Sequence, residues 1–154
     1  MTFGFEPDTP GIYRIGNKKQ TKKLRIYSVS MIQRKDNELP FAISKQGMQF
    51  HHIGIPTNKH KPGERYIEKY KFYVSGFETS EYGIEWMRFD PDSPVSEIIQ
   101  TVPHIAFKVS HLETAIQGKE LIGEISVPSE RVRTAMIIEN GAPVEFIEFD
   151  EDTD

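Results

Sequence analysis

The 154-residue chain contains no cysteine, which excludes disulfides, thiolate metal sites and cysteine nucleophiles together. It has no apolar run approaching the ~20 residues of a membrane span, and its N-terminus lacks the apolar centre of a secretory signal. A cytoplasmic protein is therefore expected. Neither a serine-centred elbow nor a phosphate-binding glycine loop occurs. Any metal must be held by histidine and carboxylate.

What is present is ordinary in bulk and uneven in distribution. A hydrophobic content of 37% and a charged content of 27% suit one globular domain with a sizeable core. Residues 1–48 carry 9 lysines and arginines against 4 acidic residues, whereas 49–154 carry 10 against 19. The basic run "NKKQTKKLR" at 17–25 has no interleaved aromatics and no nucleic-acid motif, so it reads as a solvated stretch. Turn-rich segments surround one candidate strand at 24–32. Residues 1–48 are accordingly expected to form a basic N-terminal extension, disordered in part or folded as a loose hairpin. The patterned domain is expected over 49–150, followed by an acidic tail at 151–154.

From Gln49 onward the pattern is mainly strands, expected at 49–56, 65–74, 82–89, 101–109, 124–127, 131–139 and 143–149. Asn140-Gly141 marks a hairpin turn between the last two. A short helical turn is expected over 92–100 with Ser93 as its N-cap and Pro94 just inside. A helix is expected over 110–120, where Ser110 and Glu113 form a capping-box pattern and Leu112, Ala115 and Ile116 an apolar stripe.

Chemistry enters through "MQFHHIGIPT" at 48–57. Alternation puts Phe50, His52, Gly54 and Pro56 on one face and His51, Ile53 and Ile55 on the other. His52 thus has a glycine beside it and space for something to bind. The motif recurs: "HIGI" at 52–55 matches "HIAF" at 104–107, and "GIEW" at 83–86 matches "PVEF" at 143–146. The order along the chain is His52, Glu85, His104, Glu145, which implies a duplicated element. Large apolar residues, among them Ile84, Trp86, Ile105, Phe107, Val144 and Phe146, fall on the opposite faces. Four ionisable groups on one sheet face must be paired, hydrated or bound to a cation. Two imidazoles and two carboxylates make a divalent-metal set. His51, His60 and His111 read as surface or supporting residues.

This order of residues on strands of two related halves resembles the vicinal oxygen chelate superfamily, and the ligand set is similar to that of bacterial glyoxalase I. "HIAFKVSHLETAI" and "NGAPVEFIEF" resemble its second module, and "IEWMRFDPDSPV" resembles the matching segment of methylmalonyl-CoA epimerases. The resemblance implies an α+β fold in which two βαβββ modules form a curved, cupped mixed sheet. The first module departs from it: "NKHKPGERYIEKY" is broken by Pro62-Gly63, so its helix is shortened or missing. The resemblance further implies one divalent ion, nickel, cobalt, manganese or zinc, held by His52, Glu85, His104 and Glu145. Glu145 or Glu85 would act as catalytic base in a lyase or isomerase reaction on an α-oxygenated carbonyl compound, through a metal-stabilised enediolate. The alternatives are a non-catalytic binding protein of the resistance type and a ring-cleaving dioxygenase. A small molecule is the expected partner, with no role for nucleic acid or membrane, and a homodimer is left open.

Overall fold

The computed structural model describes residues 33–150, so the candidate strand at 24–32 and the acidic tail lie outside the described residues. Eight strands form one mixed sheet: β1 (Gln49–Pro56), β2 (Arg65–Ile67), β3 (Phe72–Ser75), β4 (Ile84–Phe89), β5 (His104–Lys108), β6 (Ser126–Ser129), β7 (Val132–Glu139) and β8 (Ala142–Phe149). Their order across the sheet is β2-β3-β4-β1-β5-β8-β7-β6. Each half repeats one plan. The first strand of each half pairs in parallel with the fourth, β1 with β4 and β5 with β8, and the other pairs within each half are antiparallel. An antiparallel β1–β5 pair joins the halves. The result is the α+β, curled half-barrel that two such modules imply.

Among the described residues three short α-helices accompany the sheet: α1 (Phe41–Ser44), α2 (Glu97–Thr101) and α3 (Leu112–Ile116). Among the described residues none is long and apolar enough to cross a membrane. The apolar face of α3 covers the second module, where Phe107, Val109, Leu112, Ala135, Ile137 and Phe146 form the main buried cluster. Ala42 and Ile43 of α1, together with Met48, pack against that cluster. The compact unit consequently begins at Arg34, ahead of the boundary at 48/49 that charge and turn content suggested. Composition averages conceal these apolar side chains on an otherwise polar segment.

The first module has no helix between β1 and β2. The loop that replaces it lays polar groups on the outer face of β4. Arg88 donates from Nε and a terminal nitrogen to the two carboxylate oxygens of Glu64, at 2.9 and 2.6 Å. Its guanidinium also stacks over Tyr73 at 3.9 Å, and the Lys61 ammonium sits 3.9 Å over Trp86.

Local details differ from the sequence expectations for identifiable reasons. Residues 65–74 form a hairpin and not one strand, because a tight turn at Glu68–Tyr70 and a left-handed Lys71 (φ 52°) fold β3 back on β2. The helix α2 starts after Ser96, since the Ser93 hydroxyl instead donates to the Tyr70 carbonyl at 2.7 Å. No side-chain cap precedes α3, and Glu113 pairs with Arg133 rather than closing a capping box. The sixth strand lies two residues later than expected, at 126–129. The Asn140-Gly141 turn forms as read, with both residues at positive φ (49° and 77°), the conformation a two-residue hairpin of this twist requires.

Candidate metal centre

The repeated motif makes its own geometry. Around the central Ile53–Ile105 pair of the antiparallel β1–β5 ladder, Gly54 stands opposite His104 and Ala106 opposite His52. The small residue of each motif thus faces the histidine of the other. The parallel neighbours extend both rungs: Glu85 lies beside Gly54, and Glu145 beside Ala106. One rung reads Glu85, Gly54, His104; the next reads His52, Ala106, Glu145. All four ionisable side chains rise on the concave face.

The space beside His52 that the glycine implied is filled by His104. A methyl group at Gly54 would overlap the Cε1, Nε2 and Nδ1 atoms of the His104 ring. Gly83 is equally constrained: its φ is +69°, and a Cβ there would lie 2.8 Å from the His51 carbonyl oxygen.

His52, His104 and Glu145 converge on one point, each with a ligand-type atom within 4.8 Å of the others. The two Nε2 atoms are 3.3 Å apart, and Glu145 Oε2 lies 3.4 Å from that of His52 and 3.5 Å from that of His104. Such separations are too long for strong hydrogen bonds. They match the edges of a tetrahedron whose centre-to-corner bonds are about 2.1 Å, the length of zinc–nitrogen and zinc–oxygen bonds. The donor set therefore fits a divalent cation. Glu85 is near but outside this triangle, with Oε2 3.6 Å from His52 Nε2. The sequence grouped all four as ligands; the structure brings three together and sets the fourth at their side.

Electrostatics prepare the site for ligation. Burial pushes the His52 imidazole down to about 4, with His104 and His51 adding to the effect and Glu145 opposing it. The ring is neutral at neutral pH, the form that binds metal, and its contacts with the glutamates are not ion pairs. Burial, reinforced by Glu145, raises the Glu85 carboxyl to about 7.

His51 is closer to the site than alternation suggested. A bulge falls between Phe50 and His52, so Phe50 stands opposite Phe107 and His51 is the extra residue. Its ring stacks on Phe77 at 5.0 Å, and its Nδ1 lies 2.8 Å from His52 Nδ1. With the His52 proton on Nδ1 and donated to His51, Nε2 is left as a lone pair facing the triangle. The Nδ1 of His104 is buried without a hydrogen-bond partner in the protein. His60 is largely exposed beside Glu64, and His111 precedes α3; neither is part of the site.

The centre lies in a cleft of about 660 Å³ that both modules line. Tyr70, in the turn after edge strand β2, hydrogen-bonds Ser126 on the opposite edge strand β6, and both line the cleft. The curl of the sheet thus brings its two edges together across the site. Sequence reasoning missed this contact, which joins residues 56 apart with no motif between them.

No protein-family profile matches the chain, and no curated protein matches it in sequence. Among solved structures, it is similar to a hypothetical protein from Bacillus halodurans C-125, with 23% identity, a TM-score of 0.53, and coverage of 70% of this chain and 98% of that one. This likeness bears on the fold alone, a curled half-barrel sheet.

Proposed function

We propose that the protein is a metal-dependent lyase or isomerase of the vicinal oxygen chelate type, moving a carbon-bound proton next to the carbonyl of an α-oxygenated compound. The observation that carries this reading is the triangle of His52, His104 and Glu145 with a further carboxylate, Glu85, beside it. The three residues would hold nickel, cobalt, manganese or zinc. When bound, such an ion supplies Lewis-acid polarisation of a carbonyl oxygen. His52 and His104 contribute neutral imidazole nitrogens, and Gly54 keeps the second ring in place. Glu85 is free of the triangle yet within reach of it, so its Oε2 is the atom assigned to take up and return the proton.

Solvent-deuterium incorporation into a panel of α-hydroxy and α-oxo carbonyl compounds, followed by NMR, tests the reading. The two glutamates should separate: Glu85→Gln should retain metal and lose most exchange, while Glu145→Gln should lose both. A second reading draws on the same triangle, since two histidines and one carboxylate are also the ligand set of ring-cleaving dioxygenases. Oxygen consumption with a catechol, without exchange on any carbonyl compound, would favour it.

A further inference from the structure

We infer that the cleft selects a substrate with an uncharged, apolar body of roughly six to ten carbons attached to its chelating end. The inference rests on the metal-centre reading and adds to it the part of the substrate that never reacts.

The walls supply the argument. Ile67, Phe72, Val74 and Met87 face the cleft from the first module, Ile99 from α2 and Met136 from the second module. Met87 lies two residues along β4 from Glu85, and Met136 stands opposite Glu145 in the β7–β8 ladder. The apolar surface therefore begins at the centre itself. Outside the four residues of the centre, Arg65 and Glu124 are the charged side chains lining the cleft among the described residues, and their signs cancel. A body carrying several carboxylates or phosphates would meet one cation at most, and an unpaired charge taken into such a place is heavily penalised. An alkyl or aryl body gains about fourfold in affinity for each methylene it buries.

Size points the same way. A volume of about 660 Å³ lies within the range that encloses most of a drug-sized ligand and far exceeds what a two- or three-carbon dicarbonyl fills. Tyr70 and Ser126, hydrogen-bonded to each other from the two edges of the sheet, both line the cleft, so a body of this length has a wall beside it beyond the reacting centre.

The test uses the full chain loaded with zinc and a series of straight-chain alkyl hydroxamates from acetyl to decanoyl, titrated by calorimetry. The hydroxamate supplies two chelating oxygens while the tail alone varies. Zinc uptake is measured first, without hydroxamate. The expected result is a dissociation constant that falls about fourfold per added methylene over at least four methylenes. Met136→Gln should weaken the decanoyl compound roughly tenfold more than the acetyl one. A flat series on the zinc-loaded protein, or stronger binding of a glutamyl hydroxamate than of an alkyl one of equal length, would overturn the inference and leave the metal centre standing. Failure to take up zinc would overturn both.

Discussion

The two halves of the sheet share one strand order and are covered in opposite ways. The second module buries its outer face under α3, with Leu112 fully enclosed among Phe107, Val109, Ala135, Ile137 and Phe146. The first lacks the corresponding helix and is covered by a polar loop through the Glu64–Arg88 pair and the Lys61–Trp86 contact. Yet both present a histidine and a glutamate to the same centre. The placement of these side chains therefore follows the β1–β4 and β5–β8 parallel pairs and the central ladder, which both modules share, while what lies behind them differs. The asymmetry continues at the rings, since His52 has His51 at its Nδ1 and His104 has no such partner.

The largest effect should come from the small residues at which the two modules meet. Gly54→Ala should lower metal affinity on the order of 100-fold by displacing the His104 ring. Its counterpart Ala106→Gly, which removes a fully buried methyl beside His52, should cost about 1 kcal/mol of stability and leave metal binding nearly intact. Calorimetric metal titration of the two variants decides the matter. Equal affinities would break the argument that glycine is needed on one side only.

The coverings come next. Leu112→Ala should cost about 2–5 kcal/mol, because the cavity opens in the principal core. The melting temperature should then fall by roughly 10 °C. A change of a degree or two would mean that the second module is not the more strongly packed half.

The smallest effect belongs to the polar covering. Its hydrogen bonds from Arg88 hold the Glu64 carboxyl at about 2, below its ordinary 4.5. A carboxylate whose folded value is depressed contributes its full stability above pH 4.5 and loses it as pH falls toward 2. Glu64→Gln should therefore flatten the stability profile between those values, while Leu112→Ala shifts the whole profile down without changing its slope. Thermal melts from pH 7 to pH 2.5 separate the two behaviours. An unchanged slope in the glutamine variant would remove Glu64 from the account.

Much of this was legible in the chain because the motif repeats. "HIGI" and "HIAF" each pair a histidine with a small residue two positions on, and an antiparallel ladder turns that spacing into mutual accommodation. The missing first helix was legible in Pro62-Gly63. What escaped were features that depend on a neighbour outside the segment. The turn at Glu68–Tyr70 has no glycine or proline to announce it. The displaced start of α2 depends on Ser93 finding the Tyr70 carbonyl, 23 residues back. The bulge at His51 appears only once β1 is laid against β5, and with it the ring moves from a presumed outer face to the edge of the centre. Glu85 shows the same limit. Strand register places it on the correct face, but only the side-chain positions separate it from the three that converge.

Whether the two modules together build one metal centre is decided by counting bound metal in the purified full chain. Equilibrium dialysis against zinc, nickel, cobalt and manganese, read by mass spectrometry, should give about one ion per chain. His52→Ala and His104→Ala should each abolish that binding, because each removes one of three converging donors. Full metal content in either variant, or none in the wild-type protein with any of the four ions, would mean that the three side chains do not form a metal centre.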